Sequence, residues 1–109
     1  MKAPDRIPEL LNRLLRTLDA ARDLADRGRA SYDADPAVPL AFEALANRVG
    51  DLCKQLIAAD RARFSHEVWV LAARNRDFVV HHYHRLDPDV LWVTVTRDFP
   101  ALAELARQT

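Results

Sequence analysis

The sequence predicts an all-α protein, an antiparallel four-helix bundle. Apolar residues recur at spacings of three and four in four stretches of the chain, as they do on the buried face of a helix. Glycine, which weakens helices, occurs only twice in 109 residues. Short connections between four such stretches are typical of a helical bundle. A chain of this length forms one domain, so residues 1–109 are predicted to be a single domain.

The first two helices are predicted from their apolar stripes. From Ile7 to Ala25 the stripe consists of Ile7, Leu10, Leu11, Leu14, Leu18, Ala21 and Leu24 or Ala25. Gly28 is well placed to end this helix. The stripe from Val38 to Leu56 consists of Val38, Phe42, Leu45, Val49, Leu52 and Leu56. Asp33 or Asp35 is predicted to cap this second helix, with Pro36 just inside it.

The last predicted helix competes with a strand. Its start is well marked, because Asp87 is a good N-cap and Pro88 suits the first helical position. The following "VLWVTVT" is β-branched and alternating, which by propensity favours a strand. A helix is still favoured, since a lone strand would have no partner and a helical stripe follows the cap. The stripe consists of Trp92, Val95, Phe99 and Leu102, and Pro100 is expected to kink or interrupt the helix.

The third predicted helix, from about Ser65 to Tyr83, has the most reactive side chains. With about 100° per residue, its core stripe is predicted to be Val68, Leu71, Ala72, Phe78 and Val79. The nearly opposite face consists of Arg74, Asp77, His81 and His84. Arg76 and Tyr83 are seven residues apart and therefore share a third face, beside Trp69.

Arginine and histidine on one helix suit phosphoryl chemistry. A guanidinium holds a phosphate and neutralises charge that develops on its oxygens. An imidazole exchanges a proton near neutral pH. Asp77 precedes His81 by four residues, so its carboxylate can orient the imidazole or raise its pKa. Such a site would need no metal to cleave RNA, because the neighbouring 2′-hydroxyl supplies the nucleophile.

Two other interpretations of this polar face stay open. Polar residues on the outside of a helix most often form a solvated face. His81 and His84, at i and i+3, have a spacing that can chelate a metal ion. No Glu-x-x-His pattern and no second helix with ligands supports that metal site.

Composition limits the possible classes. With 16 basic and 16 acidic residues the net charge is zero, which argues against binding nucleic acid by overall charge alone. The single cysteine, Cys53, excludes an internal disulfide and is predicted to be a small buried hydrophobe. No apolar run is long enough for a membrane span and no signal peptide opens the chain, so a cytoplasmic protein without membrane contact is expected.

The third helix resembles a known motif. Arg76-x-x-x-x-His81-x-Tyr83 is similar to the R-x-x-x-x-H-x-Y motif of HEPN-domain toxins of the HepT type. The resemblance covers most of the chain and is specific from about Phe64 to Leu102, where one tryptophan precedes the motif, an Asp follows its tyrosine and a second tryptophan precedes a closing turn. "ALANRVGDLCKQL" resembles the family's second helix, with Asp51 where glutamate is usual.

The resemblance implies a HEPN fold and a metal-independent endoribonuclease, the toxin of a type II toxin–antitoxin system. It further implies a homodimer whose motif helices face a shared cleft, an mRNA or tRNA substrate, and no cofactor or metal. Arg76 and His81 would be catalytic, with Asp77 and Arg74 in support. The implied antitoxin is a minimal nucleotidyltransferase (MNT) that can transfer AMP onto Tyr83 and so silence the toxin.

Two choices stay open after the resemblance. Helical phase favours Arg74 as the arginine beside His81, whereas the motif with its tyrosine favours Arg76, which we take as the primary candidate. The alternative function is a non-catalytic HEPN partner, or a nucleotide-binding subunit, of a minimal nucleotidyltransferase.

Overall fold

The computed structural model describes residues 6–82 and 87–109, except for the side chains of 75–82. Over these ranges the chain is helical and has no β-strand, so the all-α prediction is confirmed. The helices are α1 (Ile7–Ala25), α2 (Arg29–Ala34), α3 (Ala37–Ala59), α4 (Glu67–His82), α5 (Pro88–Val93) and α6 (Phe99–Arg107). A π-helical segment, Thr94–Asp98, joins α5 to α6.

Helix α1 has the predicted bounds and buries the predicted stripe. Leu14 and Ala21 are fully buried at its centre. The chain leaves the helix through Gly28, whose amide donates to the Ala25 carbonyl at 2.9 Å. Gly28 has a φ of 93°, in the left-handed region where residues with a Cβ are strained. The glycine therefore ends the first helix as predicted.

The six-residue helix α2 was not predicted, because its polar sequence "RASYDA" is typical of a turn. The Arg29 Nε donates to Asp33 Oδ1 at 2.9 Å, an i, i+4 pair that supports a short helix. Asp33 therefore does not cap α3. Asp35 does, since its Oδ1 accepts from the Ala37 amide at 3.0 Å, and Pro36 lies just before the helix rather than inside it.

Helix α3 lies at the centre of the core. It packs against α1 and most extensively against α4, while α6 and the π-helical segment close over α1. Its predicted stripe is buried, apart from the half-buried Leu45. Cys53 is fully buried, as predicted. The extensive packing of α4 against α3 thus fixes the orientation of α4, the helix that contains the motif.

The "VLWVTVT" segment is helical, as predicted, with an irregularity before Pro100. Asp87 caps α5 by accepting from the Asp89 amide at 2.8 Å. A proline in a regular α-helix removes one amide donor and pushes its ring against the carbonyl four residues earlier. The wider π-helical turns lie immediately before Pro100. The Thr94 and Thr96 hydroxyls donate to the Val90 and Trp92 carbonyls at 3.0 and 2.8 Å, which satisfies carbonyls along this stretch.

The predicted core stripe of α4 was wrong in phase. Leu71 is 44% exposed and Val68 and Ala72 are only partly buried, whereas Trp69 is 1% exposed and Ala73 is also buried. Phe78 and Val79 lie outside the described side chains. Val68–Leu71 is a run of four apolar residues and so gives no helical phase. The largest ring, which gains most from leaving water, occupies the core.

Candidate active site on helix α4

The backbone of three candidate residues belongs to the second half of α4. Arg76 and Asp77 lie just past its middle, and His81 lies in the last turn that the structure describes. With 1.5 Å of rise per residue, Arg76 and His81 are about 7.5 Å apart along the helix axis. Their side chains lie outside the described ones. Tyr83 and His84 lie outside the described residues altogether.

Arg74 is the one candidate whose side chain is described. It is exposed, and it forms no ion pair with any side chain that the structure describes. On the helix axis it lies about 10.5 Å before His81. Since seven residues make nearly two turns, positions 74 and 81 lie on the same side of α4. An exposed arginine therefore lies on the same side of α4 as His81.

The beginning of α4 is fixed in the core by Trp69. Its ring meets Phe64 edge to face, with 5.0 Å between the ring centroids and an angle of 88°. His66 helps to begin the helix, because its Nδ1 accepts from the Val68 amide at 3.1 Å. The sequence had indicated no role for His66, since histidine is not a common N-cap. The motif therefore extends from a helix whose first turns are firmly packed.

The chain that follows the motif is fastened to α2. The Tyr32 hydroxyl donates to the Pro88 carbonyl at 2.7 Å. Arg29 pairs with Asp33 on its own helix and with Asp89 in the first turn of α5. Tyr32 is buried and Pro88 is exposed, so this hydrogen bond is partly shielded from water. Helix α5 thus begins at a fixed position, six residues after His82.

Aromatic packing also holds α2 against α3 and α5. The Tyr32 ring lies 5.1 Å from both Phe42 and Trp92, measured between ring centroids. The Arg29 guanidinium lies 5.3 Å from the centre of the Tyr32 ring and 5.7 Å from that of Trp92, within the range of cation–π attraction. The contacts with Trp92 were not predicted, because Arg29 and Tyr32 lie about 60 residues before it in the chain and share no short motif with it.

The ionisation states of these two residues suit their roles. Hydrogen bonds to Asp89 and Asp33 raise the pKa of Arg29 above its ordinary value, so it stays a cation. Burial raises the pKa of Tyr32, because the phenolate is poorly solvated there, so the hydroxyl stays a donor. Arg29 is thereby neutralised by two carboxylates and offers little net charge to an approaching anion.

No metal centre is evident in the part of the chain that the structure describes. Within 6–74 and 87–109, no three His, Cys, Asp or Glu side chains are grouped closely enough to hold an ion. The possible pair His81 and His84 lies outside these side chains. No described helix is long and apolar enough to cross a membrane.

An all-α chain with Arg-x-x-x-x-His on one of its long helices has the architecture of a HEPN domain. The chain matches the family model HepT-like, described as "Ribonuclease HepT-like", over residues 11–109. It therefore belongs to the HepT-like family of ribonucleases. No curated protein and no solved structure gave a significant match.

Proposed function

We propose that this protein is a metal-independent endoribonuclease, active as a homodimer, that serves as the toxin of a type II toxin–antitoxin pair. One observation carries the proposal: a member of the HepT-like ribonuclease family has Arg76-x-x-x-x-His81 within one unbroken helix. The helix fixes the spacing of a phosphate-binding cation and a proton-transfer group.

The proposed reaction is a transesterification within the RNA backbone. A histidine takes the proton of a 2′-hydroxyl, and that oxygen bonds to the adjacent phosphorus. The bond from phosphorus to the 5′-oxygen breaks, and a second proton donor protonates the leaving oxygen. The products are a 2′,3′-cyclic phosphate and a 5′-hydroxyl. Arg76 neutralises the charge of the transition state, Asp77 orients His81, and the second copy supplies a second histidine to the cleft.

Cleavage of RNA by the purified protein tests this mechanism. His81→Ala should reduce kcat by about 100-fold or more, because general acid–base catalysis contributes on that scale. His66→Asn is the matched control, since His66 is an exposed histidine just before the same helix, and asparagine keeps a side-chain acceptor for the Val68 amide. EDTA should leave wild-type cleavage unchanged. Cleavage that persists in His81→Ala, or that EDTA abolishes and a divalent ion restores, would contradict the assignment.

Alanine at each arginine decides which one serves the site. We expect Arg76→Ala to lower kcat strongly, because the motif gives it the contact with the scissile phosphate. Arg74→Ala should mainly raise KM, because an exposed cation on the histidine side attracts the RNA backbone. The reverse result would move the catalytic role to Arg74.

The proposed antitoxin is an MNT nucleotidyltransferase that attaches AMP to Tyr83. The adduct would place a negative phosphate beside the arginine that holds RNA, and it would repel the incoming backbone. Incubation with the cognate enzyme and ATP should give a mass shift on the peptide with Tyr83 and abolish cleavage. An adduct on another residue, or continued silencing of Tyr83→Phe, would contradict this part of the proposal.

The charge of the protein favours the alternative function, a non-catalytic partner of a minimal nucleotidyltransferase. The chain has no net charge, and near the start of α5 the exposed carboxylates of Asp33, Asp87 and Asp89 outnumber the one guanidinium, Arg29, that pairs with two of them. Such a surface repels RNA and suits a protein or nucleotide-transferring partner better. A wild-type protein that binds the nucleotidyltransferase but cleaves no RNA would establish this alternative.

A further inference from the structure

We propose that Tyr32 and Arg29 are positioning residues for the motif, acting through the start of α5. This inference rests on the proposed ribonuclease function, because its consequence is the placement of His81. The two residues touch neither RNA nor His81 in the proposal. They fix the start of α5, the helix that follows the motif helix α4.

Several independent contacts attach the start of α5 to the short helix α2. Tyr32 donates to the Pro88 carbonyl at 2.7 Å, and Arg29 bridges Asp33 to Asp89. Tyr32 also packs against Trp92 of α5, at 5.1 Å between ring centroids. Asp89 and Pro88 lie in the first turn of α5. These contacts account for the presence of α2, which contributes only one buried side chain to the core.

The position of His81 makes this fastening relevant to catalysis. His81 lies in the last turn of α4 that the structure describes, one residue before His82. Helical turns close to a connection open locally at little free energy unless packing holds them. Only four residues separate His82 from the Asp87 cap. While Tyr32 and Arg29 hold residues Asp87–Asp89 in place, the C-terminal part of α4 can unwind only a little. Without these contacts α5 could move, and that part of α4 would fray.

Fraying would affect the chemical step more than RNA binding. Proton transfer requires the imidazole within about 0.5 Å of its place, and a displacement of about 1 Å can lower a rate 100-fold. Arg74 and Arg76 lie one to two turns further inside α4, so the contact with phosphate should persist. The inference thus predicts a fall in kcat with an almost constant KM.

The experiment compares four single variants in RNA cleavage. Tyr32→Phe removes only the hydroxyl. Arg29→Met removes the bridge between Asp33 and Asp89 together with the cation–π contacts of Arg29 with Tyr32 and Trp92. Thr17→Val and Arg13→Met are matched controls on α1, since Thr17 donates to the Arg13 carbonyl at 2.8 Å and Arg13 pairs with Glu9 at 2.7 Å. All rates are measured below the lowest unfolding temperature of the set, so that a loss of fold does not mimic a loss of kcat.

We expect kcat to fall about fivefold to tenfold in Tyr32→Phe and Arg29→Met, with KM within about twofold, because one hydrogen bond has roughly that weight. The backbone amides of 79–82 and 88–93 should exchange hydrogen faster in these two variants and not in the controls. Arg29→Met keeps the test valid if Tyr32→Phe folds poorly, because the Arg29 side chain is 41% exposed and is not part of the buried core.

If the wild-type protein cleaves RNA and needs His81 to do so, the proposed function stands, and either of two results then overturns the inference. In the first, kcat of Tyr32→Phe and Arg29→Met equals that of the controls. In the second, KM of these variants rises without a fall of kcat. Failure of the wild-type protein to cleave RNA overturns the proposed function, and the inference falls with it.

Discussion

Cys53 shows how far burial alone determines the chemistry of a residue. Its side chain is fully buried, and desolvation raises the pKa of the thiol to about 12. The thiolate is the reactive form, so at neutral pH the native protein should be inert to thiol reagents. We expect 5,5′-dithiobis(2-nitrobenzoate) to label less than about one molecule in ten at pH 8, and every molecule after denaturation. Rapid labelling of the native protein would contradict this burial.

Trp69 and Leu71 show what a sequence leaves undetermined at the residue scale. Both are large and apolar, and they are only two positions apart, yet one is buried and the other is nearly half exposed. Periodicity fixes the core side of a helix only where polar residues interrupt the apolar ones. In Val68–Leu71 none does. The choice is made by Phe64, which comes from the preceding turn and offers its ring to Trp69.

At the scale of elements, the start of α5 depends on one carboxylate. Asp87 accepts from the Asp89 amide at 2.8 Å, whereas Asp98, before α6, makes no such bond with its side chain. Asp87→Ala should lower the free energy of unfolding by about 1 kcal/mol, the usual effect of a lost N-cap. Asp98→Ala should change it by less than about 0.5 kcal/mol, because its ion pair with Arg97 is exposed. Urea denaturation measures both, and equal effects would show that Asp87 is not a cap.

The elements that the sequence predicted are those with a local signal. The stripe and Gly28 determine α1, and the Asp87-Pro88 pair determines the start of α5. Helix α2 was missed because its stabilising partners, Pro88 and Asp89, are distant in the chain. The π-helical segment was expected only as a kink at Pro100, since the sequence does not show how the chain accommodates the missing amide.

The candidate site was predicted by a different kind of signal. Arg76, His81 and Tyr83 were singled out by the spacing of a motif, and the family match bears out the family but not the role of any residue. Tyr32 and Arg29 carry no motif. Their importance depends on contacts with α5 that only the folded chain brings together, so positioning residues of this kind are invisible to a sequence.

At the scale of the whole molecule, one exposed apolar surface lies on the motif helix itself. Val70 and Leu71 are 40% and 44% exposed on α4. One motif helix offers a single His81, whereas the proposed reaction needs one group to accept a proton and another to donate one. Contact between two copies through α4 would bury these side chains and supply the second histidine. This surface is therefore our candidate for the homodimer interface.

A substitution at Leu71 tests the proposed dimer. Leu71→Asp places a charge in the proposed interface, where its desolvation opposes association. We expect sedimentation at micromolar concentration to give about twice the 12.4 kDa chain mass for the wild type and one chain mass for Leu71→Asp. RNA cleavage should decrease as the dimer dissociates.

Leu40→Asp is the matched control, because Leu40 is the more exposed residue, at 63%, and lies on α3. Its mass and activity should equal those of the wild type. A wild-type mass of one chain, or a Leu71→Asp dimer with full activity, would show that α4 does not form the interface.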